Sequence, residues 1–286
     1  MAVRHTPLGG ALSSLAAGKD DEARHALSRM KDESVMARAL ALALSSGSLA
    51  NAYDAPSAFE AFIRSRGNIA LYGAVSSTLA RLYDHYRPHR LLDIGTGDGM
   101  ALLPAIAEAT HVPREIDVIE PSEQMFEKLI GSLSVHAGYT QGFEAFAEDL
   151  AQKNHWDMAQ SSFALQSIPP SARTKALRRL ARHVDRLVVI EFDVPDLPLG
   201  SRDLHESLAT RYECAASEQE ENADLVASGF LVPMLLGQLR AATPSNWEQP
   251  ASAWLDELTS AGFRAVKVEH VHDYSWASAM CLVADA

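Results

Sequence analysis

The chain has 286 residues, 47% of them apolar, enough to bury the core of one elaborated domain or of a domain with a cap. Its 37 acidic against 25 basic residues give a formal net charge of −12 at pH 7, with no long basic block, which weighs against nucleic acid as a substrate. Two cysteines, Cys214 and Cys281, form neither a disulfide framework nor a zinc site and suit a reducing cytoplasm.

The first eighteen residues carry Arg4 and small apolar side chains, but Gly9-Gly10 interrupts the run, so it does not read as a signal peptide. Residues 20–46 carry Ala26, Leu27, Met30, Val35, Met36 and Leu40 on helical spacing and predict one or two amphipathic helices. Ser46-Gly47-Ser48 ends them, and residues 56–87 predict two more helices, stopped by Pro88. From there a βα alternation sets in. Strands are expected near 91–95, 115–120, 134–137, 156–161 and 186–191, and helices near 99–109, 122–132, 144–152 and 171–183. Pro169 and Pro170 fit the first turn of the last of these helices. Between Pro195 and Pro250 the rhythm stops: an acidic helix over 202–224 is followed by an apolar run at 225–239, too short to span a bilayer, and then a polar loop. A helix around Trp254, Leu255 and Leu258 ends at Gly262, and 266–271 and 274–283 read as a closing antiparallel pair.

The chemistry concentrates at Leu91-Leu92-Asp93-Ile94-Gly95-Thr96-Gly97-Asp98-Gly99, where an apolar strand enters a glycine turn and a helix follows. Gly95 and Gly97 can take positive φ and present backbone without Cβ to a ligand. Glu120 ends the next strand, where a carboxylate can accept hydrogen bonds from both ribose hydroxyls. The spacing is G-x-G-x-G rather than the G-x-G-x-x-G of pyrophosphate binders, and Asp93 just before it would repel a pyrophosphate.

These residues resemble the first motif of the class I S-adenosylmethionine-dependent methyltransferases. Val118-Ile119-Glu120-Pro121-Ser122 is similar to their second strand and ribose-binding acid, and Gly142-Phe143 stands where the family contacts adenine. Trp156 to Ser162 resembles the fourth strand, whose end, Ser161-Ser162, lies beside the methionine moiety. The resemblance covers roughly 88–195 and 250–284 and implies a doubly wound, Rossmann-like α/β sheet of seven strands, the last pair antiparallel. It implies two parts: residues 1–87 as a helical cap or dimerisation segment, and 88–286 as the methyltransferase domain with an acceptor-pocket insertion at 196–249. The expected cofactor contacts are Tyr72, Asp93, Gly95, Thr96, Gly97, Glu120, Pro121, Gly142, Phe143, Ser161 and Ser162.

Acceptor residues are less legible, because the cofactor brings the electrophile and the protein mainly positions the acceptor. Arg64, Arg66, Asn68 and Tyr72 share a helical stretch that could face the crevice or be a solvated surface. Gln166 follows strand four and can orient an acceptor; Glu191 and Asp193 end strand five, where a carboxylate can act as base or simply cap the strand. His205 has the intrinsic pKa of a base and shares a helix face with Tyr212, though a surface histidine on an acidic helix is the ordinary reading. Phe230 and Met234, in an apolar loop with Gly229 and Pro233, could wall a small acceptor, pack a core or face a homodimer partner. No paired ligands suggest a metal. The expectation is a cytoplasmic S-adenosylmethionine-dependent methyltransferase of a small molecule, acting on neither nucleic acid nor membrane. Two other readings are a non-enzymatic cofactor-binding module and a nicotinamide-dependent oxidoreductase.

Overall fold

The computed structural model describes residues 6–46, 55–150, 154–240 and 246–286. Thr6 caps α1 (Pro7–Ala16) by accepting the Gly9 N–H at 3.0 Å, with Pro7 pre-set in the first turn. That start signal stands in the sequence, though the first individual helix is expected only from residue 20. α2 (Asp20–Ser28) and α3 (Val35–Ser46) follow, then α4 (Pro56–Ile63) and α5 (Arg66–Tyr86). Of the break at Ser46-Gly47-Ser48, the latter two lie outside the described residues.

The alternating region comprises β1 (Arg90–Ile94), α6 (Leu102–Glu108), β2 (Glu115–Ile119), α7 (Glu123–Ile130), β3 (Ala137–Tyr139), α8 (Phe143–Glu148), β4 (Met158–Ser162), α9 (Pro170–Leu180) and β5 (Arg186–Phe192). β3 lies three residues beyond its expected start, because its register is set by pairing of Asp117 with Ala137 and Ile119 with Tyr139. α10 (Arg202–Ser217), α11 (Ala223–Val226) and α12 (Val232–Arg240) follow. α13 (Ala251–Ala261) ends at Gly262 in the left-handed region (φ 107°), as the C-cap signal predicts, and leads to β6 (Arg264–His272) and β7 (Ala279–Asp285).

The apolar run 225–239 corrects the sequence reading: it is helical rather than a loop. A wide π turn over Ala227–Leu231 joins α11 to α12. Pro233 has no N–H to give a carbonyl four residues back, and a wider turn absorbs that loss. Glu220–Arg240, at 21 residues and mean hydropathy 1.2, is long and apolar enough to cross a membrane by length and composition, longer than the run counted from sequence. Its Val226, Phe230, Leu231, Val232 and Leu235 are buried in a protein core.

The chain forms two compact units. The first takes residues 1–70, 196–245 and 275–277 and is helical over its described elements; Leu12, Leu15, Leu27, Met36, Leu40 and Tyr212 are among its fully buried side chains. Gly229 permits one close approach there, since a Cβ would lie 2.6 Å from Ala58 Cβ of α4.

The second unit, residues 71–195, 246–274 and 278–286, is a seven-stranded sheet in the order β3-β2-β1-β4-β5-β7-β6. β1 to β5 are parallel and β7 runs antiparallel to both β5 and β6. The near-continuous apolar runs of β1 and β5 follow from burial on both faces. One face packs Leu92, Ile94, Trp156, Leu187, Val189 and Trp254, and the other Leu71, Val75, Tyr83, Leu91, Val188 and Ile190. The strand order reverses between β1 and β4, and the crevice at their carboxyl ends is where such sheets bind ligands.

Candidate active site

β1 delivers its chain into a turn in which Gly95, Gly97 and Gly99 all adopt left-handed backbone, with φ of 72°, 62° and 89°. Side-chain-bearing residues resist this region, so the three glycines are a stereochemical requirement. A Cβ on Gly95 would also lie 2.3 Å from Ala164 Cβ, just beyond β4, so the turn and the post-β4 segment close on each other. Gly95 N–H and Thr96 N–H both donate to Ile119 O, at 2.8 and 3.2 Å, stitching the turn to β2. Thr96 Oγ1 donates to Asp93 O at 3.2 Å.

Glu120 follows β2 and is buried against this turn. Its Oε2 accepts the Gly97 N–H and its Oε1 accepts the Ser122 N–H, both at 2.8 Å. Each oxygen keeps a further lone pair, so the carboxylate is fixed in place and still able to accept a ligand's hydroxyls. Pro121 beside it is exposed. Gly142 caps α8, and Phe143 is a core side chain among the residues behind the sheet edge. Ser161 Oγ donates to Ile94 O at 2.9 Å and is occupied within the sheet.

Two acids here are held far from their ordinary state. Asp93 is buried, and desolvation pushes its carboxyl up to about 7; Glu120 adds to the rise, while Gln160 and Thr96 oppose it. Glu191, at the end of β5, is pushed up to about 8, again chiefly by burial, with the Gln166 main chain and Arg173 opposing. Gln166 N–H donates to Glu191 Oε1 at 3.1 Å, while Glu191 Oε2, Gln166 Oε1 and Ser162 Oγ are buried with no partner. Tyr72 projects from α5 toward this edge: burial raises its hydroxyl pKa, with Asp98 and Glu191 contributing.

Two groups escaped the sequence reading. Phe163 takes a left-handed φ of 54° directly after β4, and its ring stacks on Phe192 at 4.4 Å and 19°; Phe192 stacks in turn on Tyr274 at 5.7 Å. Arg173, fully buried, pairs with Glu257 (2.7 Å), lies over the Trp254 ring at 4.2 Å and donates to Leu165 O at 3.1 Å. It therefore clamps the short turn that carries Gln166, whose O accepts the Trp247 N–H at 2.7 Å. The aromatic content after strands four and five was the available signal for the first group.

The remaining candidates lie in the helical unit. His205 is buried on α10, its Nδ1 2.8 Å from Ser13 Oγ, and burial lowers its pKa. Tyr212 OH donates to Gln238 Oε1 at 3.1 Å, and its ring meets Trp276 edge-on. Phe230 is core, 4.8 Å from Phe62, and Met234 packs against that core. Arg64 pairs with Glu60 at 2.7 Å; with Arg66 it lines a cavity of about 450 Å³ that also includes Glu218, Glu220 and Glu221. Asn68 Nδ2 donates to Phe62 O at 2.7 Å, holding the start of α5. Among the described residues no cluster of His, Cys, Asp or Glu could hold a metal.

The profile of a family described as a methyltransferase domain matches residues 68–268. No curated protein matches the chain. Among solved structures, it is similar to the mitomycin 7-O-methyltransferase MmcR, at 16% identity and TM-score 0.51, covering 99% of this chain and 74% of that one. It is also similar to magnesium protoporphyrin IX methyltransferase (ChlM) from Synechocystis PCC 6803 with bound SAH, at 14% identity and TM-score 0.51, covering 82% and 95%. A SAM-dependent methyltransferase from Archaeoglobus fulgidus matches at 13% identity and TM-score 0.50, covering 75% and 94%. The chain spans about half the length, 55% and 54%, of two further solved chains. At these identities the structural likeness speaks to the fold, whereas the profile match spans most of the sequence. The chain belongs to the methyltransferase domain family.

Proposed function

We propose that the chain is an S-adenosylmethionine-dependent methyltransferase acting on a small organic acceptor. The observation that carries this is the glycine turn locked to Glu120: three left-handed glycines expose backbone, and the Gly97 N–H fixes a carboxylate beside them. A Cβ at Gly95 would strike Ala164 and one at Gly99 would strike Leu103, so neither position admits a side chain without a shift. Residues 91–106 contain no Lys or Arg, and Asp93, Asp98 and Glu120 lie on or beside the turn. That environment disfavours a pyrophosphate and suits a cofactor bearing ribose hydroxyls and cationic groups.

Gly95, Thr96 and Gly97 supply the surface for the nucleoside, and Glu120 accepts its ribose hydroxyls. Asp93 braces the turn from within β1, and Gln166 and Glu191 stand at the carboxyl edge where the acceptor binds. The cofactor, when bound, supplies the sulfonium methyl and its own leaving group, so the chain's task is positioning and exclusion of water. Glu191 and Gln166 are the polar groups of the reaction edge. A cytoplasmic setting and a homodimer belong to the same proposal; Cys214 and Cys281 are both free thiols, and light scattering reads the oligomeric state. The activity reading is tested by photolabelling with methyl-tritiated S-adenosylmethionine. Labelling competed by S-adenosylhomocysteine and not by NADH supports it; labelling competed equally by NADH contradicts it.

A further inference from the structure

Four aromatic rings gather at the carboxyl edge of β4 and β5, and none is fully buried. Phe163, Phe192 and Tyr274 form a stack of nearly parallel rings, with interplanar angles of 19° and 18°, and Tyr72 stands at 82° to Phe163, 6.0 Å away. A stacked row with a perpendicular ring at its end makes an aromatic corner. The three stacked rings pack against the core on one sheet face, and being only partly buried they retain surface for a further ring. Phe163 also holds a left-handed backbone, a conformation that costs an aromatic residue energy and persists where its surroundings enforce it. Here the enforcement is visible: Phe163 N–H extends the ladder to Ile190 O at 2.9 Å, and Phe163 O accepts from Gln166 Nε2 at 3.2 Å.

Next to that corner are polar atoms without partners. Ser162 pairs in register with Ile190, so its side chain shares the sheet face of Ile190 and Phe192. Its Oγ is buried and makes no hydrogen bond. The Tyr72 hydroxyl lies within electrostatic reach of Glu191, whose Oε2 is likewise buried and unpartnered. Buried polar atoms left unpaired are costly, and at a ligand crevice the natural remedy is the ligand.

We propose that this corner is the acceptor subsite and that it takes a flat aromatic ring bearing a hydroxyl, the ring against Phe163 and Tyr72 and the hydroxyl hydrogen-bonded to Ser162 Oγ. This rests on the methyltransferase reading and moves Ser162 and Tyr72 from the cofactor, where the sequence suggested them, to the acceptor. Phe192 and Tyr274 hold the Phe163 ring in place from behind.

The test uses the full chain saturated with S-adenosylhomocysteine, and three probes: 2-naphthol, naphthalene and decahydro-2-naphthol. Titration calorimetry of S-adenosylhomocysteine on the same samples is done first; its failure to bind would refute the methyltransferase reading itself and the subsite with it. With it bound, 2-naphthol is expected to bind about tenfold more tightly than naphthalene, which lacks the hydroxyl, and than the saturated alcohol, which lacks the flat ring. Ser162→Ala is expected to erase the preference over naphthalene, and Phe192→Leu the preference over decahydro-2-naphthol, each leaving S-adenosylhomocysteine affinity unchanged. Absence of 2-naphthol binding at millimolar concentration, equal binding of the three probes, or loss of S-adenosylhomocysteine affinity in Ser162→Ala would overturn the subsite while leaving the cofactor assignment standing.

Discussion

Glu191 should make the protein less stable as pH rises, and Glu191→Gln should remove that loss. The carboxyl is 1% exposed; its Oε1 accepts one main-chain N–H and its Oε2 accepts none. Burial therefore favours the protonated form and pushes the group up to about 8, against about 4.3 in an unfolded chain. For an acid whose folded value is raised, the stabilising contribution is complete below the unfolded value. It is lost as pH climbs to the folded value and is absent above it. Over the window from about pH 4 to pH 8 the linkage amounts to at most about 5 kcal/mol. Arg173 lies close enough to oppose the shift, and Tyr72 and Glu248 are the other titratable groups that sense it. Asp93, pushed up to about 7, adds a parallel loss in both proteins, so the informative quantity is the difference between wild type and Glu191→Gln. Glutamine can still accept the Gln166 N–H and has no charge to desolvate. Urea unfolding at pH 5 should place the two within about 1 kcal/mol of each other, and at pH 9 the variant should be more stable by several kcal/mol. Stability curves that stay parallel from pH 5 to pH 9 would show that Glu191 ionises freely and is not held in a desolvated site.

Three further outcomes follow from the geometry. Gly95→Ala should destabilise the fold by about 2–4 kcal/mol, through left-handed strain and the contact with Ala164, and should abolish S-adenosylhomocysteine binding; denaturant unfolding and calorimetry read the two effects. Glu120→Ala removes the ligand's acceptor and the anchor of the Gly97 N–H, and should weaken S-adenosylhomocysteine by about 1–3 kcal/mol in titration calorimetry. Arg173→Met strands the largely buried Glu257 carboxylate, and should cost about 3–5 kcal/mol in urea unfolding; a loss under 1 kcal/mol would mean that the pair does not hold the Gln166 turn.

The glycine turn and the acid locked to it were legible because they are local. Strand, glycine turn, helix, strand and acid occupy residues 90–120, and the demand for glycine at left-handed positions is a property of the chain itself. The sheet followed from alternating strand and helix signals, including the antiparallel end. What failed depends on distant partners. The position of β3 is set by its pairing with β2, and the helical state of 225–239 by an apolar core that outweighs Gly229 and Pro233. The burial of His205 and its contact with Ser13, 192 residues away, are likewise invisible to a local window. The stack of Phe163, Phe192 and Tyr274 brings together the ends of β4 and β5 and the connection between β6 and β7, which no single window of sequence contains.

The most direct measurement is titration calorimetry of the purified chain with S-adenosylhomocysteine, with NADH as control. Micromolar binding of S-adenosylhomocysteine, weakened in Glu120→Ala, and no heat with NADH are the expected result. Binding of NADH, or no binding of S-adenosylhomocysteine to the folded protein, would contradict the assignment of the glycine turn and of the activity built on it.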